Sequence, residues 1–199
     1  MVYENPARVE ARIRKLTREI DEIDGFFYGS NKEKNRFGYM GMLERKRDDI
    51  VRSVVLQLHT AIEELMTDGL FDWILGTKHL KSRRKRRATR RGQALERMMG
   101  RLGFDAKLDF AVVTNLFRPK MVERLRELNR MRNKCAHHWI LDTPNRRSGQ
   151  ARGKRPRLLT SGGRDLHNGT VLREFVSEFG HAYFLIFGIV TRRDRGVLP

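Results

Sequence analysis

Apolar residues that recur at alternating intervals of three and four are the feature that most limits what this chain can fold into. Near the start they occupy Val9, Ile13, Leu16, Ile20 and Ile23. This spacing places them along one side of an α-helix. Asn5 and Pro6 supply the cap and the first turn of that helix, and Gly25 supplies its stop. The segment is therefore predicted to be an amphipathic helix.

The same spacing returns in five later segments. The longest covers residues 42–75 and is predicted to be the central core helix. Two short helices are expected in "ALERMMGRLG" and "DAKLDFAVVTNLF", a longer one over residues 121–138, and a last one over residues 171–190. The Gly-Gly and Asn-Gly pairs of "LLTSGGRDLHNGTVL" favour at most a small β-hairpin. Because no repeat or linker divides the pattern, residues 1–199 are expected to form one all-α domain.

The chain carries a large excess of positive charge. Lysine and arginine total 42 against 24 acidic residues, a formal net charge of +18, and such a surface repels itself unless a polyanion offsets it. Two basic stretches, residues 78–92 and 145–157, lack apolar periodicity and are expected to be flexible loops. Nucleic acid is the first candidate partner, because cationic loops bind phosphates without regard to sequence. The residues predicted to bind RNA are Arg83, Arg84, Lys85, Arg86, Arg87, Arg90, Arg91, His138, Arg146 and Arg147.

Several other functional classes find little support in the sequence. No apolar run approaches the roughly 18 residues of a membrane span, and the N-terminal segment lacks the apolar core of a signal peptide. Cys135 is the single cysteine, which excludes an internal disulfide. The adjacent His137 and His138 point about 100° apart on a helix, which disfavours a metal site. We therefore expect a cytoplasmic protein with no membrane partner, metal or cofactor.

One arginine stands where an apolar residue is expected. On a helical wheel, Arg132 falls in the middle of an apolar cluster. That cluster comprises Leu125, Leu128, Cys135 and Trp139. An unpaired buried charge is costly, so the guanidinium needs a carboxylate or the anion of a ligand. One interpretation is an ion pair within the chain, to Glu64 or Asp68.

The neighbours of Arg132 suggest a second interpretation. Asn133 and His137 are four residues apart on one helix face, where the amide can hold the imidazole in one orientation. A histidine removes the proton of a ribose 2′-hydroxyl, and a guanidinium stabilises charge on the phosphate, with no metal ion required. Arg132 and His137 are five residues apart, however, and on an ideal helix their directions differ by about 140°. Either the helix ends near His137, or a second subunit supplies the complementary group.

The stretch "RNKCAH", residues 132–137, resembles the signature of the HEPN superfamily (higher eukaryotes and prokaryotes nucleotide-binding), an arginine and a histidine separated by four residues. The wider run "LGFDAKLDFAVVTNLFRPKMVERLRELNRMRNKCAHHW" is similar to the branch that includes the mannitol operon repressor. The resemblance is specific over residues 101–139 and architectural elsewhere. Cys135 stands where the family usually has an aromatic or aliphatic residue, a departure that we attribute to packing.

The resemblance implies a four- to five-helix bundle that forms a homodimer and cleaves RNA without a metal, leaving 2′,3′-cyclic phosphate ends. It implies catalytic roles for Arg132, Asn133 and His137, brought together from two copies of the motif. An acidic residue on the preceding long helix often supports such a cleft, and Glu64 is preferred to Glu63 because it flanks the apolar stripe. We expect an endoribonuclease that serves as a toxin, a defence effector or an RNA-processing enzyme, with an antitoxin or other regulator as a further partner.

Two other functions stay open. A non-catalytic, nucleic-acid-binding transcriptional regulator of the mannitol repressor type would use the charge without the chemistry, with Arg132 as a buried structural cation. A scaffold module would dock an acidic partner on its basic face. Elsewhere, His59 and Glu63 are four residues apart on the central helix, a spacing that fits an acid–base pair or, more often, a surface contact.

Overall fold

The structure is a computed structural model that describes residues 6–28, 37–76, 85, 88–141 and 159–193, and the statements below concern that part of the chain. In chain order the elements are α1 (Pro6–Tyr28), α2 (Phe37–Leu75), α3 (Arg90–Arg101), α4 (Phe104–Val113), α5 (Pro119–Leu141), β1 (Thr160–Ser161), β2 (Arg164–Asp165) and α6 (Gly169–Arg193). These helices and one short hairpin, all within the described residues, confirm the predicted all-α helical fold with at most a small β-hairpin.

The predicted amphipathic face of α1 is present. Its buried side chains include Ile13, Ile20 and Ile23, whereas the predicted cap Asn5 and the side chains of Val9 and Leu16 lie outside the described part. The predicted stop at Gly25 is wrong, because α1 continues to Tyr28. An exposed glycine inside a helix costs only about 1 kcal/mol relative to alanine, so the turns on either side carry the helix through it.

Helix α2 begins at Phe37, earlier than the sequence predicts, and supplies the largest share of the core. Its buried apolar side chains are Ile50, Val51, Val54, Val55, Leu58, Ile62, Leu65, Met66, Leu70, Phe71 and Leu75. Close packing of α2 against α6 depends on Gly69, since a Cβ atom there would lie only 2.9 Å from Cγ2 of Val190. Overlap at that distance requires the neighbouring side chain to move.

The two short helices α3 and α4 are both present. Helix α3 begins at Arg90 because the Thr89 hydroxyl accepts a hydrogen bond of 3.1 Å from the backbone N–H of Gly92, a standard N-cap. The basic loop predicted over residues 78–92 therefore ends earlier, since residues 90–92 form the first turn of a helix. Most of that stretch, and the second basic stretch at 145–157, lies outside the described residues.

The hairpin forms where the Gly-Gly pair predicts it. Strands β1 and β2 pair antiparallel, with Thr160 opposite Asp165 and Ser161 opposite Arg164. Gly162 and Gly163 connect them with φ angles of 55° and 76°, and two consecutive positive φ values are what a two-residue turn of type I′ requires.

Helix α6 starts soon after the hairpin because Asn168 caps it. The side-chain oxygen of Asn168 accepts hydrogen bonds from the backbone N–H groups of Thr170 (3.0 Å) and Val171 (3.2 Å).

The described residues fall into two compact units. One contains the described residues of Met1–Leu58 and Arg130–Glu178, and the other those of His59–Asn129 and Phe179–Pro199. The first unit has a core of apolar residues from α1, the N-terminal part of α2, the C-terminal part of α5 and the hairpin region. The second has its own core, with Phe71, Leu108, Leu125 and Phe179 among its most deeply buried side chains. Organisation as one domain stays a prediction.

Candidate functional site

The predicted catalytic residues lie on α5. This helix starts at Pro119, a residue suited to the first helical position because its missing N–H would have no helical partner there. Its buried apolar side chains are Val122, Leu125, Leu128, Met131 and Cys135. They hold the helix to the core and leave the remaining faces to polar residues.

Arg132 is exposed, so the expectation that it lies on the buried stripe is wrong. The reason is that the buried face of α5 rotates along the helix. From Val122 to Asn129 the buried side chains centre near the direction of Leu125, whereas Met131 and Cys135 point roughly 100° further round. A helical wheel assumes that the buried face keeps one direction and therefore includes Arg132. In the structure the buried face has turned away by the position of Arg132, which leaves this residue exposed.

The exposed guanidinium of Arg132 contacts its neighbour on the helix. Its Nη1 atom donates a hydrogen bond of 3.1 Å to Oδ1 of Asn133, which is half-buried. Within the described part of the chain no ion pair of Arg132 is seen. Glu64 and Asp68 belong to the other compact unit, so the ion pair with one of them stays a prediction. A guanidinium has five N–H donors, and those not directed at Asn133 are available to a ligand anion.

The surroundings of Arg132 in the sequence are uniformly non-acidic. Between Asn129 and Leu141 the chain contains no aspartate or glutamate, and it adds two exposed cations, Arg130 and Lys134. Cations without local acids create a positive potential that attracts an anionic ligand. This part of α5 is therefore suited to bind phosphate.

Helix α5 continues to Leu141, past His137. One of the two sequence interpretations, an end of the helix near His137, is therefore wrong. Five residues along a continuous helix turn the side-chain direction by about 140°. The other interpretation, in which a second subunit supplies the complementary group, stays a prediction. The side chains of His137 and His138 themselves lie outside the described part.

The other predicted site residues are placed only in part. Glu64 is exposed on α2 and belongs to the other unit, so no contact with Arg132 is described. Lys85, Arg90 and Arg91 are exposed, as a phosphate-binding role requires. Outside the described residues lie Arg83, Arg84, Arg86, Arg87, Arg146 and Arg147.

A buried polar network around His59 escaped the sequence prediction. His59 is only 4 % exposed, so its expected surface contact is wrong, and its ring packs against Phe104 with centroids 4.3 Å apart. Its Nε2 atom lies 3.1 Å from Oδ1 of Asn129, whose amide nitrogen in turn donates a 2.9 Å hydrogen bond to Asp105. Nδ1 of His59 is 3.7 Å from Oε2 of Glu63. These contacts fix the imidazole from both sides.

Lys107 completes this network. Its ammonium group, on a side chain only 6 % exposed, donates a 2.7 Å hydrogen bond to Oε1 of Glu63. The acid that pairs with this buried cation is thus Glu63. Lys107 lies on the buried face of α4, with Phe104, Leu108 and Ala111. We assign the network to structural stabilisation, because its groups are largely buried and bind one another.

Two further titratable groups have perturbed environments. Burial raises the pKa of the Cys135 thiol to about 11, an effect that the nearby charge of Arg52 only partly offsets. Cys135 is therefore protonated at neutral pH and is not a nucleophile. His167 contacts Asp48 through Nε2 and Asp165 through Nδ1, each at 2.8 Å. The hydrogen bond to Asp48 raises the pKa of His167, and burial offsets this effect only in part.

Neither metal chemistry nor membrane insertion is indicated by the described residues. They contain no group of three or more potential metal ligands. They also contain no helix with the length and apolar composition of a membrane span. Comparisons of the chain with protein-family models, with curated proteins and with solved structures find no match.

Proposed function

We propose that this protein is a metal-independent endoribonuclease of the HEPN type. The observation that carries the proposal is the exposed Arg132, hydrogen-bonded to Asn133 within the "RNKCAH" motif, in a part of α5, residues 129–141, whose sequence contains no acid. The formal charge of +18 supports a polyanionic substrate. Superfamily membership is part of the proposal and rests on the motif.

The proposed reaction is transesterification within the RNA strand. His137 removes the proton of a ribose 2′-hydroxyl, and the resulting oxygen attacks the adjacent phosphorus. The bond from phosphorus to the 5′ oxygen of the next nucleotide breaks, and that oxygen takes up a proton. The products are a 2′,3′-cyclic phosphate and a free 5′-hydroxyl. Arg132 stabilises the negative charge that grows on the non-bridging phosphate oxygens.

The proposed active form is a homodimer. Because α5 is continuous through His137, positions 132 and 137 of one copy are turned about 140° apart on the helix, a spacing that disfavours a site within one copy. Two copies related by a two-fold axis place Arg132 of one beside His137 of the other. Asn133 is a positioning residue in this scheme, since it already holds the guanidinium. A cellular role in defence, as a toxin restrained by a partner, or in RNA processing follows from such an activity.

The test is cleavage of a labelled RNA by the purified protein in EDTA. Wild type is expected to cut, and His137→Ala and Arg132→Ala are each expected to lose about 10²-fold or more in rate. Mass spectrometry of the products should detect cyclic phosphate ends. Arg18→Ala is the matched control, because Arg18 is an exposed arginine on α1, outside the motif and outside the predicted RNA-binding residues.

Two outcomes would contradict the proposal. The first is equal activity of wild type and both variants, which indicates a contaminating nuclease. The second is absence of cleavage across diverse RNAs by a folded, dimeric wild-type protein. The exposure of Arg132 makes the assay interpretable, since truncating an exposed side chain usually changes stability by about 0.5 kcal/mol or less.

The non-catalytic regulator loses its specific argument from this geometry. In that alternative Arg132 acts as a buried structural cation, but the residue is exposed. Nucleic-acid binding without cleavage would instead be revealed by a protein that binds RNA or DNA and leaves both intact.

A further inference from the structure

Helix α3 presents a row of arginines on its exposed face. Arg90, Arg97 and Arg101 are all exposed, and at 100° per residue they point within about 40° of one another. Ala94 lies between them on the same face. The opposite face carries the buried residues Gly92, Leu95 and Met99. The row is thus held rigidly by a helix that is anchored from behind.

These arginines have no acidic partner among the residues that the structure describes. Within the described part of the chain, no ion pair involves Arg90, Arg97 or Arg101. On α5, by contrast, Arg124 pairs with Glu127, and Arg126 pairs with Asp109. Arginines in the first turn of α3 also oppose the helix dipole, which favours acids there. Arg90 therefore does not stabilise α3, whereas Arg101, in its last turn, complements the dipole. Because no acid of the described residues pairs with any of the three, their guanidinium groups are available to an external anion.

An apolar depression lies beside the row. It has a volume of about 270 Å³ and is lined by Ala94, Arg97, Met98, Arg101 and Leu102. Met98, on the floor of this depression, is 46 % exposed. Two guanidinium groups therefore border an apolar floor.

The chemistry of this surface selects one class of ligand. Guanidinium groups bind phosphates, and a methionine side chain makes favourable contacts with aromatic rings. A single-stranded nucleic acid offers both groups, since its bases are free to turn outward, whereas a duplex keeps its base faces stacked. Each arginine can then meet a backbone phosphate while one base lies on Met98.

We propose that the exposed face of α3 is a binding surface for single-stranded RNA. Arg90, Arg97 and Arg101 contact the backbone, and Met98 with Leu102 receives one unstacked base. The choice of RNA over single-stranded DNA rests on the proposed function, whereas the binding of a single strand rests on α3 itself. This surface includes Arg90 from the predicted RNA-binding residues and adds two arginines, Arg97 and Arg101, that the sequence analysis did not identify.

The test measures binding without cleavage. A fluorescently labelled single-stranded oligouridine is titrated in EDTA with full-length protein carrying His137→Ala, and anisotropy is followed over a series of salt concentrations. Adding Arg90→Gln, Arg97→Gln and Arg101→Gln together should weaken binding about 100-fold near 0.1 M salt and lower the salt slope by about 2, at about 0.7 per lost phosphate contact.

The matched control changes the same charge elsewhere. Arg8→Gln, Arg18→Gln and Arg118→Gln replace three exposed arginines, and this variant should retain most of the affinity and of the salt slope. Met98→Ser should weaken binding about fivefold without changing the slope, because it removes an apolar contact and no charge. Val113→Ser, at a residue 81 % exposed on α4, should have no effect.

Three results would overturn the proposal. They are equal losses in the α3 and control triple variants, no loss in the α3 variant, and duplex RNA bound as tightly as the single strand. The proposed function fails separately. If the α3 substitutions weaken binding but the wild-type protein never cleaves RNA, the α3 surface is supported and the nuclease is refuted. If the wild-type protein cleaves RNA but the α3 substitutions do not change binding, the nuclease is supported and the α3 surface is refuted.

Discussion

Lys107 and Glu63 provide the sharpest test of the fold, because one partner is buried and the other is not. The Lys107 side chain is 6 % exposed and the Glu63 side chain 31 % exposed. Replacing Glu63 with glutamine leaves a buried ammonium group beside a neutral amide. Replacing Lys107 with methionine removes the buried charge and leaves a carboxylate that water can reach.

The two substitutions should therefore have unequal costs. Removing one partner of a fully buried pair costs about 3–5 kcal/mol. Partial access of water at Glu63 lowers this figure, and we expect Glu63→Gln to cost about 2 kcal/mol. Lys107→Met should cost about 1 kcal/mol or less, because an apolar side chain of similar length fills the site. In the double variant, Glu63→Gln should add almost nothing to Lys107→Met.

The assay is urea unfolding followed by far-UV circular dichroism, with midpoints compared at constant m value. The exposed pair of Arg126 and Asp109 is the control, with side chains 46 % and 65 % exposed, and Asp109→Asn there should cost about 0.5 kcal/mol or less. Equal costs for Glu63→Gln and Lys107→Met, or a Glu63→Gln cost no larger than that of the control, would refute the reasoning.

Three further perturbations follow from other contacts. The pKa of His167 is higher in the folded protein than the unfolded value of 6.5. The contribution of His167 to stability is therefore complete below pH 6.5 and is lost as the pH rises through the folded pKa. His167→Gln should lower the thermal midpoint more at pH 6 than at pH 8. A difference that does not vary with pH would contradict this. Gly69→Ala should destabilise by about 1–3 kcal/mol through overlap with Val190, whereas Gly180→Ala, with nothing within 4 Å, should not destabilise in the same unfolding assay. The Cys135 thiol should resist iodoacetamide at pH 8 until urea is added, and rapid alkylation of the folded protein would be inconsistent with its burial.

Periodicity in the sequence was enough to predict the helices. The apolar spacing of α2 and α6 identifies both as helices, and the Gly-Gly pair identifies the hairpin through the positive φ angles at Gly162 and Gly163. The predicted ends of the helices were less accurate than the helices themselves. Gly25 does not terminate α1, and Thr89 starts α3 inside a stretch that its charge marks as a loop. Local capping contacts and packing decide such ends, and composition does not reveal them.

The expectation that Arg132 lies on a buried stripe is wrong, and the cation on a buried stripe is Lys107, which the sequence analysis did not identify. Lys107 follows Phe104 by three residues and precedes Ala111 by four, so it lies on the buried face of a short helix. A helix of this length keeps one buried face throughout. Helix α5 is longer, and its buried face turns away from Arg132 between Leu128 and Cys135. That rotation depends on which elements pack against each part of α5, and a helical wheel contains no such information.

The central claim is that Arg132 of one copy and His137 of another act on the same phosphate. Its most direct test is complementation between two inactive variants, Arg132→Ala and His137→Ala, co-expressed with different tags and assayed for RNA cleavage in EDTA. Random pairing gives heterodimers with one intact site of two, so the mixture should recover about one quarter of wild-type activity. A purified heterodimer as inactive as either parent, beside an active wild type, would contradict the shared site.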